Sequence, residues 1–183
     1  MLKDKVRSDK ANYEDAKRYF VLALYVTMLP RRLEDYDKMY IVSESLDDAP
    51  EGEVNYLIKS KHLMVFNKHK TSHALAKAGE PVDSYDYSSN KEFKEALRYW
   101  LKNRRVAAKD DTRLLSGVSI PNTIKRIFQP EIKDMNINII RHVVAEEYQK
   151  PLMDKIEAVK KEQDEIARRM GHSRSMAESY VLS

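Results

Sequence analysis

Residues 19–29 read Tyr19-Phe-Val-Leu-Ala-Leu-Tyr-Val-Thr-Met-Leu29, and Pro30-Arg31-Arg32 follow directly. This is the longest apolar run in the chain. It is too short to span a bilayer, which takes roughly 20 consecutive apolar residues. It also lacks the charged leader and small-residue cleavage site of a secretory signal. A helix beginning near residue 12 and closed by Pro30 accounts for it, and its composition marks it as a buried core helix.

Outward from that helix, the polar Arg31-Arg32-Leu33-Glu34-Asp35 leads into Lys38-Met-Tyr-Ile-Val-Ser43, which has the composition of a strand. Asp47-Asp-Ala-Pro-Glu-Gly52 is a turn cluster. Two short strands follow, Val54 to Lys59 and His62 to Asn67, around Ser60-Lys61. Lys68-His69-Lys70-Thr71 is a basic turn, and Ala78-Gly-Glu-Pro81 marks another break. Tyr85 and Tyr87 fall in a loop and read as packing residues, with base stacking as the alternative.

Ser89-x-x-Glu92 has the form of a capping box opening a helix to about Asn103, with Phe93, Leu97, Trp100 and Leu101 on one stripe. Pro121 starts a short helix through Phe128. Met135 to Tyr148 carries an apolar face of Ile137, Ile140 and Val144. Pro151 opens a last long helix to about Met170, which Gly171 ends. Its Lys155, Lys160, Lys161, Arg168 and Arg169 read as a solvated face with glutamates between them. No internal repeat or low-complexity tract interrupts the chain. The expected architecture is one mainly α domain over residues 1–183 with a small antiparallel β-sheet, an α+β fold.

Apolar residues at 42% and four glycines in 183 residues fit an ordered, helix-rich globule. Lysine and arginine number 33 against 29 acidic residues, for a net charge of +4. That surplus leans towards a polyanionic partner such as nucleic acid. The absence of cysteine excludes disulfides and thiolate metal sites and fits a reducing interior.

Against this background five polar residues stand out: Arg32, Lys70, Arg141, His172 and Tyr180. Arg141 interrupts an apolar helix face, where a half-buried guanidinium needs an anion or a carboxylate. His172 follows a glycine at a helix end, and Tyr180 stands almost at the end of the sequence.

In order and context the five resemble the catalytic domain of tyrosine recombinases (integrases), which share their chemistry with type IB topoisomerases. The family's first motif is an arginine after a buried helix, an acid three residues on and an apolar residue beyond. Arg32, Asp35 and Met39 fit it, and Arg31 with Glu34 is the alternative register. The family's lysine sits in a β-hairpin turn, and Asn67-Lys-His-Lys70-Thr71 offers Lys70. The His-x-x-Arg-His box has its counterpart in Asn138-Ile-Ile-Arg141-His142, and Leu-Gly-His-Ser in Met170-Gly-His172-Ser173. The family's tyrosine lies about nine residues past that histidine; Tyr180 lies eight past. The Pro-Arg-Arg-x-x-Asp-Tyr form looks more like recombinases of large DNA viruses, virophages and related mobile elements than bacterial ones.

The resemblance implies cleavage and rejoining of double-stranded DNA without metal or other cofactor. Arg32 and Arg141 would clamp the non-bridging phosphate oxygens in bidentate geometry. Tyr180 would attack phosphorus and hold the cut strand as a 3′-phosphotyrosine. Lys70 would protonate the leaving 5′-oxygen, and His172 would hydrogen-bond the phosphate. One position departs from the pattern. Asn138 stands where the family has histidine or lysine, and an amide accepts no proton near neutral pH, so water or His142 would take the tyrosine's proton.

Further expectations follow from the same resemblance. The N-terminal DNA clamp of such enzymes is expected to be absent from this chain. The protein is expected to be a monomer when free and to assemble into a synaptic dimer or tetramer on DNA, inside the cell, with no membrane partner. The alternatives are a type IB topoisomerase and a DNA-binding module of the same fold that has lost catalysis.

Overall fold

The computed structural model describes residues 12–44, 54–67, 83–104, 111–129 and 131–171. Helix α1 (Tyr13–Val26) is followed by the short α2 (Leu33–Asp37), by strands β1 (Met39–Val42), β2 (Asn55–Ile58), β3 (Leu63–Phe66) and β4 (Asp83–Asp86), and by helices α3 (Lys91–Asn103), α4 (Ile120–Phe128) and α5 (Ile137–Arg169). The fold is thus mixed, with helices dominating and one small sheet. No helix among the described residues is long and apolar enough to cross a membrane.

Asn12 caps α1, its Oδ1 accepting from the Asp15 N–H at 3.0 Å, and Glu14 and Asp15 suit the positive end of the helix dipole. Ala16, Phe20, Val21, Leu24 and Tyr25 of this helix are fully buried, as the apolar run requires. The partner helix α3 opens on Asn90 rather than on the Ser89 box. The Asn90 Oδ1 accepts from the Phe93 N–H at 2.9 Å while its Nδ2 donates to the Thr27 carbonyl at 2.7 Å. One amide therefore starts α3 and fastens it to the end of α1, which a serine hydroxyl is too short to do.

Between the two helices Phe20 stacks on Trp100 with an interplanar angle of 2° and also meets Phe93. The Trp100 Nε1 donates to the Leu114 carbonyl at 2.8 Å, so the indole is buried without an unsatisfied N–H. Tyr87 is a packing residue, set against Phe93 and His62, and burial pushes its hydroxyl pKa up to about 12.

The sheet order is β1-β2-β3-β4. It departs from the antiparallel expectation, because β1 pairs with β2 in parallel, Met39 opposite Asn55 and Val42 opposite Ile58. The β2–β3 and β3–β4 pairs are antiparallel. The physical reason lies in the connections. A tight turn at Lys59–His62, with His62 at a φ of 51°, forces β3 back along β2. Residues 43–54 are long enough to bring the chain back to the starting end before β2. All four residues of β2 are buried, as suits a central strand. The outer edge of β1 is covered too: Ile41 N–H donates to the Thr112 carbonyl at 2.8 Å and Leu114 N–H to the Met39 carbonyl at 2.7 Å.

The sequence predicts two helices meeting between Tyr148 and Pro151, but α5 runs unbroken from Ile137 to Arg169 with Pro151 inside it. An interior proline costs about 3 kcal/mol by removing one helical hydrogen bond. Residues 146–153 are all exposed, so water can satisfy the freed carbonyl. The helix ends as expected at Gly171, whose φ of 69° favours glycine and whose N–H donates to the Arg168 carbonyl. The described residues up to Arg141 belong to one compact unit and those from His142 onward to another.

Replacing Phe20 by alanine is expected to cost about 3–5 kcal/mol through the cavity it leaves. Trp100 is the single tryptophan and stacks on Phe20, so its fluorescence during urea unfolding reports the loss directly. An unchanged midpoint would show that this pair carries no share of the core.

Candidate functional site

The segment after α1 turns on one carboxylate. Asp35 is 3% exposed. Its Oδ2 accepts from the Arg32 backbone N–H at 3.2 Å, and the Asp35 N–H donates back to the Arg32 carbonyl, which seals the N-terminus of α2. The same Oδ2 accepts from the Arg31 Nε at 3.1 Å. The Asp35 carbonyl in turn accepts from the buried Asn55 Nδ2 at 2.8 Å, which ties α2 to β2.

Arg31 is consumed by this arrangement. Its Nη1 pairs with Asp83 at 2.5 Å, and its guanidinium lies 3.9 Å from the centre of the Phe66 ring. Two carboxylates offset its charge, and the aromatic face covers one side of the guanidinium. Arg31 is therefore tied into the fold, and of the two registers it is the one whose arginine is ion-paired.

Arg32, one residue on, is exposed, and its guanidinium has no carboxylate or hydrogen-bond partner among the described residues. Arg141 comes from the first turns of α5 and is half-buried. Its Nε donates to the Pro30 carbonyl over a long 3.4 Å, and no carboxylate among the described residues neutralises it. The Tyr25 hydroxyl, buried without a partner, has its pKa raised by that burial, and the Arg141 charge acts in the opposite direction.

Both arginines line a cavity of about 460 Å³ with Met28, Pro30, Tyr36 and Tyr85. They also line a neighbouring one of about 390 Å³ with Pro121, Asn136, Asn138 and Glu34. In the first, three arginines face Asp35 and Asp83, both already bound to Arg31, so one positive charge remains in excess. In the second, Glu34 offsets one of the two.

Asn136 opens α5, its Oδ1 accepting from the N–H groups of Asn138 and Ile139 at 2.9 and 3.1 Å. Asn138 is exposed in that first turn, beside Arg141 on the cavity wall. A helix N-terminus and two guanidiniums without a carboxylate partner among the described residues form a setting for an oxyanion. None of these groups is a nucleophile, and none of them takes up a proton near neutral pH.

Of the residues singled out from the sequence, Arg32, Arg141 and Asn138 are brought together. Lys70, His172 and Tyr180 lie outside the described residues. His142 is exposed and belongs to the second unit. Two supporting residues escaped the sequence reading. Asn136 stands just before an apolar-periodic run, a recognisable N-cap signal. Asp83 has no local signal, because its partner Arg31 is distant in the chain. Among the described residues no group of three or more His, Asp or Glu side chains is placed to hold a metal ion.

No protein-family model, curated protein or solved structure matches the chain.

The two adjacent arginines are expected to separate by effect. Arg31→Ala leaves Asp35 buried and unpaired and should cost about 3 kcal/mol in urea unfolding, whereas Arg32→Ala should change stability by less than about 0.5 kcal/mol. Equal losses would contradict the division of labour.

Proposed function

We propose that the chain is the catalytic part of a DNA strand transferase of the tyrosine recombinase kind. The observation that supports it most directly is the pair Arg32 and Arg141. They are far apart in sequence, unpaired among the described residues, and line the same two cavities. A phosphodiester resists attack because its own charge repels nucleophiles. Two guanidiniums on the non-bridging oxygens remove that obstacle, and they hold tighter as charge builds towards the transition state.

On this reading Tyr180 forms a bond to phosphorus as the bond to the 5′-oxygen breaks. The product is a 3′-phosphotyrosine and a free 5′-hydroxyl, and attack by a second strand's 5′-hydroxyl reverses the step. Lys70 protonates the departing oxygen; it lies in the segment that joins the antiparallel β3 and β4, which agrees with a hairpin lysine. His172, just past the glycine that ends α5, donates to the phosphate. Strand exchange then takes place between copies assembled on DNA, in whatever compartment holds that DNA, with viral or mobile-element integration as the biological setting.

The exposed Asn138 favours a second reading, a DNA-binding module without catalysis, since an amide cannot relieve the tyrosine of its proton. A pool of end-labelled nicked duplexes separates the two. The proposal expects a detergent-resistant protein–DNA adduct that Tyr180→Phe abolishes and that Arg32→Ala or Arg141→Ala reduces by about 10²–10³-fold. DNA binding without any adduct supports the module. Relaxation of supercoiled plasmid regardless of sequence points to a type IB topoisomerase.

Asn138→His should raise the adduct-forming rate by at least about tenfold if proton removal limits the reaction. An unchanged rate would mean that water or His142 already performs that task.

A further inference from the structure

The second unit carries a feature that the proposed chemistry does not use. From residue 146 to the end of α5 every residue except Ala167 is exposed. Along this stretch Leu152, Ile156, Val159 and Ile166 recur at alternating spacings of four, three and seven residues, and Met170 continues the series past the helix end. All five are about half exposed or more. The spacing is that of a heptad seam, with Gln149 and Gln163 filling its polar positions. Scattered exposed apolar residues need no explanation, but a continuous stripe along one helix does.

The charges beside the stripe state what fits it. Lys155 and Glu162 flank the seam on the same side, and neither has a partner among the described residues. Laid antiparallel against a second copy with Ile156 opposite Val159, the helix sets Lys155 against Glu162 of the other chain, and the two-fold axis repeats the pair. The parallel arrangement would match Gln163 with itself but would set Lys155 against Lys160 of the other chain, twice. Like charges across such a seam are unfavourable by as much as opposite charges are favourable. In the antiparallel arrangement Gln163 meets Leu152 and Gln149 meets Ile166 of the other chain, which weakens the seam without reversing the charge preference.

We propose that this stripe is a self-association surface, on which residues 145–170 of two copies pair as an antiparallel two-helix coil. DNA is not required. The pairing replaces the free monomer expected from sequence, and it stands or falls independently of the catalytic reading.

Sedimentation of the full chain without DNA, over concentrations up to about 200 µM, tests it. A reversible dimer is expected. Lys155→Glu and Glu162→Lys should each weaken association about tenfold, by turning two attractive pairs into two repulsive ones. The double variant should restore it to within about threefold of the unaltered chain. All three substitutions lie on an exposed face, and circular dichroism would confirm that helix content is retained. A chain that stays monomeric throughout, as it would if the stripe served another macromolecule, overturns the proposal. So does a Lys155→Glu variant that associates more tightly, which is the outcome of parallel pairing. An Ile156→Asp variant that still dimerises overturns it as well.

Discussion

The buried carboxylate of Asp35 is the interaction on which the candidate site depends. It seals the start of α2, holds Arg31, and sits in the helix whose carbonyl takes the Asn55 amide from the central strand. A buried carboxylate is costly unless paired and hydrogen-bonded, and Asp35 is both. Arg31 is thereby fixed against Asp83 and Phe66. With one arginine of the Arg31-Arg32 pair committed inward, the backbone directs the other outward. The site is therefore produced by a charge balance: two acids, three arginines, and one guanidinium satisfied twice over.

The arginines left over are inexpensive to keep. Arg32 is exposed and Arg141 half-buried, so both retain much of their hydration, and their mutual repulsion is softened by water. On the proposed function, an incoming phosphate would exchange that water for bidentate bonds in a concave setting where screening is weaker. Stability and binding are thus separated between neighbouring residues. Arg31 is held by two carboxylates, whereas Arg32 is exposed and has no carboxylate partner among the described residues.

The legibility of the sequence follows the range of the physics involved. The core helix, the strands at residues 39–42, 55–58 and 63–66, and the stop at Gly171 were readable because propensity, turns and caps are local signals. The parallel pairing of β1 with β2 was not, since it depends on the course of a long connection. Pro151 misled for a related reason. Proline disfavours a helix interior on average, yet exposure of the surrounding residues lets the helix continue. The strand at Asp83–Asp86 reads as a loop because its composition is polar, and it is half-exposed at the sheet edge. In the site, Arg32 and Arg141 could be picked out from order and context. The different surroundings of Arg31 and Arg32 were not legible, because Asp83 reaches Arg31 from a distant part of the chain.

The outer part of α5 raises a question of energy that bears on its partner. A helix of 33 residues is about 50 Å long, and from residue 146 it buries little more than Ala167. Most helical stability in proteins comes from packing an apolar face, and an isolated segment is marginal in water. The ion pairs Glu157–Lys161 and Glu165–Arg169 are exposed and add little, well short of the roughly 3 kcal/mol that Pro151 costs. In the proposed pairing, burial of Ile156 and Val159 against each other, and of parts of Leu152 and Ile166, would contribute towards the missing term at about 25 cal/mol for each Å² of apolar surface removed from water. A stripe that the fold leaves uncovered is thus also the stripe whose covering would stabilise the helix that bears it.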